Sequence, residues 1–275
     1  MKILDGAELA DFIKERQLKQ VRALRQSWRV IPKLAIIQTT DAPVIDTYVR
    51  LKQVYGADIL VEVGIYKIDQ ADLLSQIETL NKDVSVHGII IQLPLIDPSQ
   101  TDVAVNAVAP EKDVDGLGQG IIFTPATAMA IDWLLAGYNV ALEGKTIAIV
   151  GNGRLVGEPL SRLWRGAGLN VTVYDDTTPD LASAVRGSQL IVTATGVPSL
   201  ITKDMIQPGA VVVDAGTASE HGKTVGDVSA AVRELDDITI TPQKGGVGPL
   251  TVAALFDNVI QAARVIADQQ GQQDL

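Results

Sequence analysis

The chain has 275 residues, 47% of them hydrophobic and 20% charged, and a formal net charge of -10. That mixture excludes a disordered chain, and the surplus of acid argues against nucleic acid or an anionic membrane surface as a partner. The absence of cysteine excludes disulfides, thiolate metal sites and cysteine nucleophiles. Aromatic residues make up only 4%, so aliphatic side chains must fill the cores, as they do in parallel strands covered on both faces. The N-terminal stretch lacks the apolar run of a signal peptide. No window approaches the ~20 apolar residues of a membrane span, so the expected location is the cytoplasm.

The apolar pattern predicts a helix over 7–26, a strand at 33–38 (KLAIIQ), a helix over 42–56 and a strand at 58–66 (DILVEVGIY). A helix over 70–81, a strand at 87–95 (HGIIIQLPL) and a short helix over 100–108 follow. The polar, glycine-rich stretch PEKDVDGLGQG (110–120) reads as a domain boundary, with a helix over 125–136 beyond it. The second half gives strands at 145–151, 170–175, 189–195, 210–216 and 237–242, with helices over 155–166 and 180–186. A final amphipathic helix spans 250–268. This alternation predicts an α/β fold with parallel sheets in two domains separated by a cleft. Residues 1–118 with the C-terminal helix 250–275 form one expected domain, and 119–249 a Rossmann-type dinucleotide-binding domain.

The strongest local signal is IAIVGNGRLVGEPL (147–160), where a strand runs into Gly151, Gly153 and Gly157 and a helix begins. Glycines there let the backbone turn tightly and approach a pyrophosphate, and the helix N-terminus offers N–H groups and a positive dipole end. The spacing is G-x-G-x-x-x-G, and the strand–turn–helix context is the one a dinucleotide requires. The next strand ends in Asp175 and Asp176, carboxylates that can accept hydrogen bonds from a ribose and repel a 2′-phosphate. They favour NAD over NADP, although Arg154 stands near enough in sequence to meet a phosphate. Two more glycine turns, Thr195–Gly196 and Ala215–Gly216, follow strand ends on the same expected rim. They either line the nicotinamide side or serve as tight turns only.

In the first half, Tyr48 and Lys52 are spaced i, i+4, neighbours on one helix face. A lysine desolvated there loses proton affinity and becomes a usable acid/base; the bland reading is an amphipathic face with a packed tyrosine. Short-chain dehydrogenases carry the same spacing, but after their dinucleotide loop, whereas here the pair precedes it. Gln92 closes an aliphatic strand at the sheet edge, where it either meets a ligand or hydrogen-bonds loop backbone. Asp113 and Asp115 lie in KDVDG, where capping their own turn is the alternative to a ligand role. His87 and His221 have no second ligand at metal spacing and read as structural or surface residues, so no metal is expected.

Together these segments resemble the bifunctional methylenetetrahydrofolate dehydrogenase/methenyltetrahydrofolate cyclohydrolases. The resemblance runs over nearly the whole chain in order: YVRLK (48–52), GIIIQLPL (88–95), PEKDVDG (110–116), GNGRLVGEP (151–159), VGDV (225–228) and TPQKGGVGPLT (241–251). It implies oxidation of 5,10-methylenetetrahydrofolate with NAD or NADP and hydrolysis of the methenyl product to 10-formyltetrahydrofolate, in a homodimer. It implies Lys52 as the catalytic lysine, Tyr48 as the residue that stacks on or orients the folate, Gln92 as the partner of the lysine, and Asp115 as the anchor of the pterin. Ile91 and Leu93 flank Gln92 in the same substrate segment. Gly245, Gly246, Val247, Gly248 and Pro249 match the loop closing over substrate. Gly151, Asn152, Gly153, Arg154, Val156, Gly157, Asp175, Asp176, Thr195, Gly196 and Thr217 fall where the family meets its cofactor.

The chain departs from the family pattern in places. Asn152–Gly153 replaces an arginine–serine pair that commonly serves the NADP phosphate, again favouring NAD. Ile45 replaces a serine, Ile122–Phe123–Thr124–Pro125 a proline–cysteine–threonine–proline, and Gln243–Lys244 a valine–proline. Lys244 puts a cation beside the expected folate pocket, where it either pairs with a substrate carboxylate or signals a changed substrate. Two other readings follow from these departures: an NAD-dependent oxidoreductase of the same plan acting on another small molecule, or a catalytically silent homologue.

Overall fold

Parallel strands alternating with helices build two units in the computed structural model of the chain, which describes residues 1–220 and 223–273. In chain order the elements are β1 (Lys2–Ile3), α1 (Gly6–Ser27), β2 (Lys33–Gln38), α2 (Pro43–Asp58), β3 (Glu62–Lys67), α3 (Leu73–Lys82), β4 (Gly88–Ile91), α4 (Thr101–Ala107) and α5 (Ala126–Gly137). There follow β5 (Ile147–Val150), α6 (Gly157–Gly166), β6 (Val171–Tyr174), α7 (Leu181–Val185), β7 (Leu190–Thr193), β8 (Val211–Asp214), β9 (Ala218–Glu220), β10 (Lys223–Val225), β11 (Thr239–Ile240) and α8 (Val247–Gln273).

One unit comprises Asp11–Ala126 and Val252–Leu275. Its sheet has the order β3-β2-β4, all parallel, with Ile37 opposite Ile91 and Gln38 opposite Lys67. Leu34, Ala35, Ile36 and Ile37 are fully buried, as a central strand covered on both faces requires. One layer of its core joins Ala35 and Ile37 to Ile77 and Leu80 of α3 and to Ala104 and Val105 of α4. Helix α2 starts with proline in its first turn, where the missing N–H costs nothing. It buries Ile45 and Val49, one turn apart. At Gly56 a Cβ would lie 2.5 Å from a methyl of Val63, so only glycine lets α2 approach β3 this closely.

The α8 residues of this unit are locked to it by polar as well as apolar contacts. Phe256 stacks on Tyr55 at 5.1 Å between ring centroids. Asn258 donates to the carbonyls of Val114 and Thr124, both at 2.9 Å, and the buried Gln17 donates to the Ala253 carbonyl at 2.8 Å. By length and mean hydropathy α8 is apolar enough to cross a membrane, contrary to the sequence expectation that no segment is. Its apolar residues Ala253, Ala254, Leu255, Phe256, Val259 and Ile260 are buried in protein, which accounts for the hydropathy.

The other unit comprises Met1–Ala10 and Thr127–Thr251. Its sheet has the order β1-β11-β8-β7-β5-β6, and every pair is parallel. All four residues of β5 and of β7 are buried. The strand order reverses between β5 and its neighbours β6 and β7, and that switch point is where open parallel sheets bind ligands.

The N-terminus differs from the expected division at 1–118. Residues 1–10 belong with the second half, because β1 pairs with β11 and Ala7 donates to the Gly245 carbonyl at 2.9 Å. A two-residue strand with both side chains exposed carries no periodic signal. The β9–β10 hairpin and a 3₁₀ turn at Ala230–Glu234 are likewise additions to the sequence-based elements. The strand expected over 58–66 begins only at Glu62, since α2 runs to Asp58 and Leu60 turns the chain with φ +65°. His221 lies outside the described residues.

Candidate active site

Lys52 sits four residues after Tyr48 on α2, and the two differ in environment: Tyr48 is 38% exposed, whereas Lys52 is half-buried. Lys52 Nζ donates to Gln92 Oε1 at 2.9 Å. Gln92 follows the last residue of β4; its backbone N–H continues the ladder to the Ile37 carbonyl at 2.8 Å, and its amide donates to the Leu93 carbonyl at 3.1 Å. Ile91 is buried beneath it, and the Leu93–Pro94 peptide is cis. The strand end, the amide and the lysine therefore form one rigid group. Burial holds the Lys52 ammonium below its ordinary pKa, and the nearby Asp115 carboxylate opposes that shift.

Asp115 is placed by its neighbour. Asp113 accepts the N–H of Gly116 at 3.0 Å and of Gly118 at 2.8 Å, closing the turn on itself. Of the two aspartates in KDVDG, then, Asp113 is the turn former, and Asp115 is the one left to Lys52. Burial pushes Asp115 up to about 6, and Lys52 pulls the other way. Lys112 of the same motif donates to the carbonyls of Leu80, Asn81 and Asp83 at the end of α3. His87 is buried, its Nδ1 accepts the Lys33 N–H at 3.2 Å, and burial lowers it to about 4.

The sequence reading missed what holds α2 in register. Gln38, at the end of β2, donates to Asp46 at 2.9 Å, and Lys67, at the end of β3, donates to the same oxygen at 3.1 Å. Both bonds hold the Asp46 carboxyl below its ordinary value. They fix the first turn of the helix carrying Tyr48 and Lys52. The only available signal was the position of two polar residues, Gln38 and Lys67, at adjacent strand ends.

The glycine loop has the form its sequence implies. Gly151 lies at φ +99°, and a Cβ there would stand 2.6 Å from the Ala194 carbonyl oxygen. A Cβ on Gly157, the first residue of α6, would stand 1.8 Å from the Gly151 oxygen, so strand end and helix start are in backbone contact. A Cβ on Gly153 would meet nothing within 4 Å, so the space over this residue is open. Asn152, Gly153 and Arg154 are exposed and Val156 is half-buried. A tight turn, a closely packed helix start and open space over the middle glycine fit a dinucleotide pyrophosphate.

Asp175 is engaged locally: its carboxylate accepts the Thr177 N–H at 3.0 Å and hydroxyl at 2.6 Å, which lowers its pKa. Asp176 beside it is exposed. Thr195, Gly196 and Thr217 sit at the carboxyl ends of β7 and β8, and the two turns touch, since a Cβ on Gly196 would lie 3.4 Å from the Thr217 oxygen. In the same unit Gly245 has φ +82° and a Cβ on Gly6 would lie 1.9 Å from the Gly246 oxygen. The GGVGP segment is thus backed by the N-terminal residues; Val247 is buried, Gly248 exposed and Pro249 in the first turn of α8. Lys244 is exposed.

Comparison with known proteins agrees with this geometry. The family profile described as tetrahydrofolate dehydrogenase/cyclohydrolase, catalytic domain, matches residues 4–115, and the corresponding NAD(P)-binding domain matches residues 125–267. A bifunctional protein FolD from Bordetella avium is 38% identical over 95% of this chain and 97% of its own. The crystal structure of the bifunctional enzyme FolD from Campylobacter jejuni superposes with a TM-score of 0.91 at 36% identity, over 96% of this chain and 99% of that one. The Trypanosoma brucei methylenetetrahydrofolate dehydrogenase-cyclohydrolase, solved with NADP and an inhibitor, gives a TM-score of 0.89 at 30% identity, over 96% of this chain and 97% of its own. With matching profiles over both halves and full-length relatives above 30% identity, this chain belongs to the tetrahydrofolate dehydrogenase/cyclohydrolase family.

Proposed function

We propose that the chain oxidises 5,10-methylenetetrahydrofolate to the 5,10-methenyl compound with a nicotinamide cofactor, and hydrolyses that product to 10-formyltetrahydrofolate. The observation that carries the reading is the Lys52–Gln92–Asp115 group, with its half-buried lysine whose proton affinity burial lowers. When bound, the nicotinamide supplies the hydride acceptor. Gly151, Gly153, Gly157 and the start of α6 hold its pyrophosphate, with Asn152, Arg154 and Val156 beside them, and Thr195, Gly196 and Thr217 meet its nicotinamide side. The GGVGP segment, Gly245–Pro249, is counted among the substrate-binding residues of this reading.

Hydride loss leaves a cation shared by the two folate nitrogens, so the protein needs no strong acid or base for that step; it must orient the substrate. Asp115 anchors the pterin, Tyr48 packs on the ring system, and Ile91 and Leu93 line the segment that presents Gln92. Hydrolysis does need proton transfer. Water adds to the methenyl carbon and loses a proton, giving a neutral carbinolamine. The carbon–N5 bond then breaks as N5 gains a proton, and the hydroxyl proton leaves to solvent as its oxygen becomes the formyl carbonyl, so that one proton is released overall. Lys52 Nζ, its proton affinity lowered by burial, takes the proton from the water and returns one to N5. Gln92 accepts from Nζ and keeps it aimed at the reacting carbon.

NAD is the favoured cofactor, supported by Asp176 at the end of β6 and by Asn152–Gly153 in the loop. The homodimer, the cytoplasmic location and the absence of nucleic-acid and membrane partners belong to the same proposal; light scattering of the pure protein and cell fractionation test them. The deciding experiment supplies methylenetetrahydrofolate with NAD or NADP and follows the methenyl and formyl products spectroscopically. Turnover to both is expected, and Lys52→Met should lose ring opening while keeping measurable hydride transfer. Folate binding without turnover, or no folate binding at all, defeats the proposal.

A further inference from the structure

Beneath the Thr195–Gly196 and Gly216–Thr217 turns lies a pair of aspartates that none of these roles uses. Asp227, from the VGDV segment after β10, has no exposed surface. One of its oxygens, Oδ2, accepts three bonds: from the Thr193 hydroxyl at 2.7 Å, from the Thr195 backbone N–H at 2.7 Å and from the Thr195 hydroxyl at 2.9 Å. The other, Oδ1, has no hydrogen-bond partner among the described residues and faces Gly216, where a Cβ would stand 2.0 Å from it.

Asp214, at the end of β8, supports Asp227 from behind. Its carboxylate accepts the N–H groups of Gly216 at 3.2 Å, Asp227 at 3.0 Å and Val228 at 3.2 Å. Arg233, from the 3₁₀ turn, donates to it at 2.9 Å and to the Thr241 carbonyl at 2.7 Å. A Cβ on Gly226 would lie 2.1 Å from Asp214 Oδ2. Each aspartate thus presses on a glycine of the other's strand connection, and both turns are tied to one fixed centre.

A buried carboxylate is costly unless its bonds repay the desolvation. An apolar core could cap two strand ends without it. What the carboxylate adds is three simultaneous restraints on Thr193 and Thr195, immediately before a residue at φ +71°. We propose that Asp227 is a positioning residue for the nicotinamide side of the cofactor site, holding the Thr195–Gly196 turn against Gly216–Thr217 in the form that receives the cofactor. The proposal rests on the cofactor assignment above. It does not depend on the identity of the folate substrate.

The test is direct binding of NAD and NADP by calorimetry to the full-length protein and to three variants, with ring opening of methenyltetrahydrofolate measured in parallel. Asp227→Ala is expected to weaken the preferred cofactor about tenfold or more while ring opening stays within about twofold, since that step uses no nicotinamide. Asp227→Asn, which can present an oxygen to the same three donors, should restore binding to within about threefold of the parent. Thr193→Val removes one donor at a buried position that cannot touch the cofactor, and should weaken binding about threefold. The third variant decides the matter if Asp227→Ala does not fold. Cofactor binding that survives Asp227→Ala or Thr193→Val unchanged overturns the proposal. So does parallel loss of binding and ring opening, which marks a general structural role. Absence of folate turnover in the parent protein defeats the functional reading and leaves the calorimetric comparison valid.

Discussion

Lys52 Nζ takes a neutral partner: its hydrogen bond at 2.9 Å runs to the amide oxygen of Gln92, not to a carboxylate. That choice matters for proton transfer. A carboxylate at this distance would favour the ammonium and hold the lysine charged. With an amide in its place, burial lowers the lysine and only Asp115 opposes it. Gln92→Glu should therefore raise the Lys52 pKa. In the proposed mechanism the neutral amine is the base, so the pH at which ring opening becomes fast should move upward, by about one unit or more. A pH–rate profile of the hydrolysis, compared between parent and variant, checks this; a downward or absent shift would contradict the role given to Gln92.

Asp115 yields a stability prediction with the opposite sign to the usual acid. Its pKa of about 6 lies above the ordinary carboxylate value of 3.8, so the folded state binds the proton more tightly than the unfolded state. Stability from this group is fully present below the unfolded pKa and is lost as pH rises through the folded one. At pH 8 the desolvated charge costs about 1 to 3 kcal/mol. Asp115→Asn should be more stable than the parent by that order at pH 8, with the gain vanishing below about pH 4. Folate affinity should fall at the same time. Urea denaturation at the two pH values, read beside substrate binding, checks both halves.

Those two residues also show how far the sequence could be read. The i, i+4 spacing of Tyr48 and Lys52 placed them on one helix, and the polar end of GIIIQ placed Gln92 at a sheet edge. Both needed only local periodicity. The glycine loop was equally legible, because strand, turn and helix follow one another without interruption. Asp113 and Asp115 were left undecided by composition, since both residues suit a turn; only the Gly116 and Gly118 N–H groups separate them. The Gln38–Asp46–Lys67 anchor and the Asp214–Asp227 pair were not legible. Each joins residues distant in sequence, through side chains whose bonds depend on the finished sheet order. The placement of residues 1–10 was hidden for the same reason, as β1 exists only through its pairing with β11.

Gly153 and Gly157 should separate binding from folding. In the protein itself a Cβ on Gly153 meets nothing, and its φ is not in the left-handed region, whereas a Cβ on Gly157 collides with the Gly151 oxygen at 1.8 Å. Gly153→Ala is expected to keep stability within about 1 kcal/mol and to weaken cofactor binding, because the methyl occupies the open space proposed for the pyrophosphate. Gly157→Ala is expected to cost about 3 kcal/mol or more, since two backbones must part, and to lose cofactor binding with it. Thermal melts with and without NAD distinguish the two. A Gly153→Ala protein that binds cofactor normally would place the pyrophosphate elsewhere.

Asp176 carries the cofactor preference in this reading, and its neighbour does not. Asp175 spends its carboxylate on the Thr177 N–H and hydroxyl, an Asx turn that shapes the chain after β6. Asp176 is exposed at that turn. A carboxylate facing the adenosine ribose accepts hydrogen bonds from its hydroxyls and repels a phosphate at the 2′ position. Asp176→Ser should then raise kcat/KM with NADP relative to NAD by about tenfold or more, a change of about 1.4 kcal/mol in relative transition-state binding. Asp175→Ser should instead loosen the 175–178 turn and weaken both cofactors together, with little change in their ratio. Steady-state kinetics with both cofactors and both variants decide between the two aspartates, and a ratio that moves only with Asp175→Ser would assign the preference to the wrong residue here.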